Sequence, residues 1–388
     1  MSMFLITIIA IAIIIYIIEK NSIKNALNGI EYSQKPTLNI VEPDEEFDIV
    51  CVLKNRTRRF ISYLKLKEKF SKEIIIPKKT DDVGYSFIQS SKYLMPRQVL
   101  ERRIRASIPK RGRYLLYGAT IYGGDFLGFT EIIGIYEDIE EIVVIPKETT
   151  VSNLEIKLSG YIGEMSINRF IFEDPILTVG FNDYTGQEPQ KMISWTQTAR
   201  VGHLMVKKYD YTLELMVTVI LNIDYDGNNR EKLVEECFSI CRSVCQYLET
   251  KNIKYKVIAN TITEGVIQAF KNVDGFAWGR NYLMNILEDL GRASIDIVRE
   301  PYEKMLSRVI DFAELGVGHI LITPDIKDIY SKKETNFSKN ESDYLKVELS
   351  NSVTLGKLRE LTGHDVCILT PNLAPNLASG SSKEQGGE

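Results

Sequence analysis

The sequence predicts a mixed fold: a single N-terminal transmembrane helix, a β-sandwich, and then an α/β doubly wound domain. Three observations carry this. An uncharged apolar run covers residues 1–18, a period-two alternation fills 37–146, and strand and helix patterns alternate from 213 to 371. Residues 147–212 join the two domains, and 374–388 lack the apolar content needed to fold.

Composition narrows the functional classes. With 44% hydrophobic and 26% charged residues the chain reads as globular, and its net charge of −4 argues against a dedicated nucleic-acid binder. Five cysteines, three of them crowded at Cys237, Cys241 and Cys245, make a disulfide framework improbable. Three histidines leave little material for a histidine-based metal site.

Residues 1–18 would span about 27 Å as a helix, close to the hydrocarbon thickness of a bilayer. A cleaved signal peptide would need a basic start, a shorter apolar core and a small-residue cleavage site, all absent. Lys20, Lys24 and Lys35 follow the run and no basic residue precedes it. The expectation is therefore a single-pass protein of the cell membrane with its soluble domains cytoplasmic.

In the β region, Phe47, Ile49, Cys51 and Leu53 share one strand face, and Ser62, Leu64 and Leu66 share another. Ile104, Ala106 and Ile108 repeat the alternation before a turn at 109–112, and a strand follows over 114–121. Eight basic residues (Lys92, Arg97, Arg102, Arg103, Arg105, Lys110, Arg111, Arg113) stand against Glu101 alone between 92 and 113. They read as a solvated strand face or as a contact for anionic lipid.

Residues 213–223 form a nearly continuous branched apolar run, suited to a strand buried on both faces. An amphipathic helix over 230–251 follows, with Leu233, Cys237, Ile240, Cys241, Val244 and Leu248 in one stripe. Cysteines at i, i+4 and i+8 lie along a helix rather than around a point, so core packing accounts for them. Strands at 255–259, 319–323 and 365–370 alternate with helices at 278–293, 301–315 and 353–361, and 332–342 reads as a polar insertion.

The stretch 173–210 is too polar for a core strand pair, yet carries Trp195 and leads into the apolar strand. Glu173, Asp174, Pro175, Gly180, Tyr184, Gly186, Ile193, Trp195, Ala199, Arg200, Leu204, Val206 and Lys207 lie along a patterned segment there. Upstream stand Arg111-Gly112-Arg113-Tyr114 and residues 125–129. On these residues the chain resembles the bacterial domain-of-unknown-function family number 58, membrane-anchored proteins with a von Willebrand factor A-like C-terminal domain. Asn182 stands where that family usually has Arg, and Gln187 where it usually has Asp.

The resemblance implies a degenerate Mg²⁺ site of the metal-ion-dependent adhesion type at Asp224, Asp226, Asn228 and Asp325, with 278–280 bringing Arg280 toward it. The alternatives are a strand-ending turn and a carboxylate-lined partner surface without metal. No nucleophile elbow, phosphate loop or zinc-protease motif is present, so no catalytic role is expected. The expected function is a membrane-tethered adaptor working with a MoxR-type AAA+ ATPase, the partner the resemblance implies. The alternative is a structural envelope or anionic-lipid-surface protein built on the basic cluster.

Overall fold

A computed structural model describes residues 27–124, 130–149, 152–169, 178–209, 214–227, 229–265, 275–324 and 353–371, with Ile9, Ile13, Tyr16 and Lys20. The chain divides into two compact units, Met1–Lys147 with Leu287–Ala293, and Glu148–Ile286 with Ser294–Glu388.

Among its described residues the first unit has ten strands: β1 (Ile30–Pro36), β2 (Ile40–Val41), β3 (Phe47–Asn55), β4 (Ile61–Phe70), β5 (Thr80–Asp81), β6 (Ser86–Leu94), β7 (Val99–Ala106), β8 (Gly112–Gly124), β9 (Glu131–Tyr136) and β10 (Glu140–Val144). One sheet runs β1-β3-β7 and the other β2-β10-β8-β4-β6-β5, with β9 also on β8. The alternation along β3 is complete, so Phe47, Ile49, Cys51 and Leu53 enter the core and the residues between them do not. Strand β8 exchanges β10 for β9 at Gly118, whose φ of +78° is open to glycine. A Cβ there would run into the Tyr136 carbonyl.

The two sheets share one buried carboxylate. Glu68 of β4 is 2% exposed, accepts the Tyr32 hydroxyl of β1 at 3.3 Å, and pairs with Arg102 of β7. A buried charge is tolerable only when paired and hydrogen-bonded, so this trio also fixes how the sheets face each other.

In the second unit, α1 (Ser152–Arg169) precedes β11 (Thr178–Asp183), α2 (Trp195–Val201) and β12 (Met205–Tyr209). Then come β13 (Met216–Leu221), α3 (Arg230–Thr250), β14 (Lys254–Ala259), β15 (Thr261–Thr263), α4 (Arg280–Arg292), β16 (Ala293–Val298), α5 (Tyr302–Asp311), β17 (Val317–Ile322), α6 (Val353–Thr362) and β18 (Val366–Leu369). Four strands make a parallel sheet in the order β14-β13-β17-β18. Ile220 and Leu321 on one face pack with Leu306 and Val309 of α5 and Leu358 of α6. The inward stripe of α3 holds Val234, Cys237, Phe238, Cys241, Val244, Cys245 and Leu248, all buried, and burying each such apolar side chain stabilises by about 1.5–3 kcal/mol.

The expected fold class, a mixed chain opened by a single transmembrane helix, is corrected. Among the described residues no helix is long and apolar enough to cross a membrane. The two longest described helices, α1 and α3, are charged, with Glu155, Lys157 and Glu164 on one and Arg230, Glu231, Lys232, Glu235, Glu236, Arg242 and Glu249 on the other. A span asks for about 20 consecutive apolar residues in one helix. The single-pass membrane assignment, and the cell-membrane location with cytoplasmic domains that rested on it, are corrected with it. Of residues 1–18 only Ile9, Ile13 and Tyr16 are described, each helical and exposed; the rest of that run lies outside the described residues.

Candidate functional site

The segment that sequence singled out folds as a strand, a short helix and a returning strand. β11 and β12 pair antiparallel, with Asp183 opposite Met205 and Phe181 opposite Lys207, and the register shifts between Thr178 and Gly180. The connection is fixed by local bonds. Gly186 turns at φ +91°, the Thr185 hydroxyl and amide donate to the Glu188 carboxylate at 2.8 and 3.0 Å, and Ser194 N donates to Met205 O at 2.8 Å. Its own backbone N–H and the Thr185 hydroxyl hold the Glu188 carboxyl below the usual range. Helix α2 ends on Gly202 in the left-handed conformation at φ +84°.

This element buries little beyond Ile193, Ser194 and Val206. Trp195 is 68% exposed, and Phe181, Val201 and Leu204 are exposed as well. Arg200 and Lys207 face solvent, Tyr184 is half-buried with its amide on the Leu204 carbonyl, and His203 meets Asp183 at 2.8 Å. Asn182 and Gln187, the departures from the family pattern, are both exposed. Glu173, Asp174 and Pro175 lie outside the described residues, as do 125–129.

At the carboxyl ends of the parallel strands, Asn222, Asn260 and Thr323 are buried and bonded to one another. The Asn260 side-chain amide donates to Asn222 Oδ1 at 2.8 Å, and that of Asn222 to Thr323 Oγ1 at 3.2 Å. Asp224 N donates to Asn222 Oδ1 at 3.0 Å, and the Asp224 carboxylate accepts the Tyr302 N–H at 3.1 Å. Tyr302 opens α5, whose first N–H groups have no partner within the helix, so Asp224 caps it and sits favourably on its dipole.

That role bears on the Mg²⁺ expectation. A hard cation needs several oxygen ligands, and among the described residues no three His, Cys, Asp or Glu side chains are placed to hold a metal. Asp226 is exposed, and Asn228 and Asp325 lie outside the described residues. Arg280 does not approach Asp224: Ala277 bridges Tyr255 near the amino end of β14, while Asp224 follows the carboxyl end of β13. The Gly279 amide instead donates to both Glu249 carboxylate oxygens at 2.9 Å.

The basic cluster is dispersed by pairing. Arg102 meets Glu68, Arg103 meets Glu101 at 3.2 Å, Arg105 meets Glu46 at 3.5 Å, and Arg113 meets Glu141 at 3.0 Å. Arg111 is buried, and its Nη1 donates to the Leu290 and Ala293 carbonyls at 2.6 Å each. The three helix cysteines are buried, and burial pushes the Cys237 thiol well above its ordinary range.

Sequence reasoning missed Thr218, Lys256 and His319. Thr218 of β13 and His319 of β17 are polar residues inside apolar strands, Lys256 alternates with buried residues along β14, and the three fall in register. The signal was there to read in β13 and β17, one polar interruption in each apolar run. Leaving a buried hydroxyl or imidazole nitrogen unbonded costs about 1–3 kcal/mol, so such interruptions carry information.

No family model and no curated protein matches the chain. Among solved structures, it is similar to the CARDB domain of the PF1109 protein from Pyrococcus furiosus, at 11% identity over 30% of this chain and 87% of that one, with a TM-score of 0.21. It is likewise similar to a non-cellulosomal cohesin from Archaeoglobus fulgidus, at 8% identity over 30% of this chain and 91% of that one, with a TM-score of 0.22. Likeness at this level carries no functional argument.

Proposed function

We propose that the chain is a protein-binding adaptor that engages its partner through the strand–helix–strand element of residues 178–209. One observation carries this reading: Trp195 stands 68% exposed on a short helix, with Phe181, Val201 and Leu204 also exposed on the same element. Exposed apolar patches rimmed by polar groups mark interaction sites, and Trp and Arg are the types most enriched among residues that dominate binding energy. Arg200 supplies the second anchor. The resemblance to the domain-of-unknown-function family number 58 makes a MoxR-type AAA+ ATPase the partner to test first. The competing reading, a structural envelope protein built on residues 92–113, is weakened because Arg102, Arg103, Arg105 and Arg113 are paired with acids.

The test is crosslinking of the full chain in cells, followed by mass spectrometry, for the native sequence, Trp195→Ala and Arg200→Ala. Recovery of an ATPase crosslinked within 178–209, lost with Trp195→Ala, supports the adaptor. Identical partners from all three chains sink it.

A further inference from the structure

On the face of the parallel sheet that α5 covers, three polar side chains stand in one row. Thr218 is in register with Lys256 on one side and His319 on the other. In-register residues of parallel strands point the same way and neighbouring strands lie about 4.8 Å apart, so the row spans about 10 Å. These three side chains line a cavity of about 540 Å³ whose walls include Phe276, Val309 and Phe312. That volume is in the range of small-molecule sites.

Two of the three have hydrogen-bonding capacity unspent among the described residues. Thr218 is 1% exposed and His319 3% exposed, yet Thr218 Oγ1 and His319 Nδ1 have no hydrogen-bond partner among those residues. Most buried polar groups in proteins find a hydrogen-bond partner. The Lys256 ammonium lies 4.4 Å from the centre of the Phe276 ring. Burial pulls it below its ordinary range, partly offset by Glu314. The cavity's other cation, Arg308, is already paired with Glu300 at 2.6 Å.

We propose that this cavity binds a small carboxylate with an apolar body, its oxygens received by the Lys256 ammonium and the Thr218 hydroxyl. The body lies against Phe276, Val309 and Phe312. Among the described residues, Lys256 is the lining cation outside an ion pair, and with Asp311 and Glu314 on the same lining a phosphate dianion is disfavoured more than a singly charged carboxylate. Burial pulls the His319 pKa down to about 4, against a hydrogen bond to the Val317 carbonyl that raises it, so at neutral pH the ring is uncharged, its one N–H serves that carbonyl, and it lines the site without donating to the ligand. The site is independent of the docking element at 178–209.

Calorimetric titration of the full chain tests this with benzoate and hexanoate as probes, benzamide as a neutral isostere and inorganic phosphate as a dianion. At least one carboxylate binds, and benzamide and phosphate bind about tenfold or more weaker, as charge-assisted bonding requires. Lys256→Met removes binding. Thr218→Val weakens it about tenfold while leaving the thermal unfolding midpoint unchanged or raised, because a buried hydroxyl without a partner has been removed. The proposal is overturned if neither carboxylate binds at millimolar concentration, if phosphate or benzamide binds as well, or if binding survives Thr218→Val undiminished.

Discussion

Two stretches stand out for polarity in the sequence, 92–113 and 173–210, and the structure, which describes the second over 178–209, treats them in opposite ways. In the first, side chains that look free along the chain are taken up: Arg102 by a buried carboxylate, Arg111 by backbone carbonyls, Arg113 by Glu141. In the second, a tryptophan and three aliphatic or aromatic neighbours are left in solvent. Charge density along a chain is thus a poor guide to a binding face, because opposite charges distant in sequence return to neutralise it. Exposed apolar area has no such way of being cancelled.

Three measurements probe this contrast and a fourth sets a scale for them. Arg102→Leu leaves the Glu68 carboxylate buried without its cation and should lower the unfolding free energy by about 3–5 kcal/mol in urea titrations. A loss under about 1 kcal/mol would mean that the sandwich charges are held no more tightly than surface pairs.

A yardstick from outside both stretches ranks next. His319 has its pKa lowered from 6.5 to about 4, mainly by burial. Between those values the unfolded chain binds a proton that the folded chain does not, so this contribution is complete above pH 6.5 and lost as pH falls toward 4. The change is on the order of 3 kcal/mol. His319→Gln should flatten that part of the stability profile; an unchanged slope would assign it to other groups.

Arg111→Met removes the donor to two carbonyls and should cost about 2 kcal/mol, since a buried carbonyl left without its donor is expensive. Chemical denaturation reads it, and no loss would mean that water replaces the guanidinium. The smallest expected effect is on the other side of the comparison. Trp195→Ala should change stability by no more than about 0.5 kcal/mol, while abolishing partner capture. A large destabilisation would place the tryptophan in a core and remove the basis for the docking reading.

Local periodicity made much of the strand layout legible. The alternation at Phe47, Ile49, Cys51 and Leu53 reads directly as burial, because each residue's face is set by its own position in the pleat. The helix stripe through Cys237, Cys241 and Val244 reads the same way. Partnerships across long separations did not: nothing near Glu68 announces Tyr32 or Arg102, and nothing near Asp224 announces that it caps a helix 78 residues later. Helix α1 went unread because its buried stripe, Leu154, Leu158 and Met165, is sparse and Ser159, Gly160, Gly163 and Ser166 dilute the pattern around it. The apolar run at 1–18 gave a length in sequence, but a membrane span is a property of a continuous helix, and no described helix has it.

Residues 287–293 belong to the first unit although the chain before and after them belongs to the second. The carbonyls of Leu290 and Ala293 that receive Arg111 are therefore made long after the ten strands of the sandwich, as are the Arg292 guanidinium that pairs with Glu141 at 2.6 Å and Gly291, where a Cβ would collide with Val143. During synthesis at about 5–20 residues per second, the sandwich waits on the order of ten seconds for its last piece. A fragment cut after Lys147 would keep every described strand of the sandwich and still be an unfinished unit, one that begins folding early and closes only when most of the chain has left the ribosome.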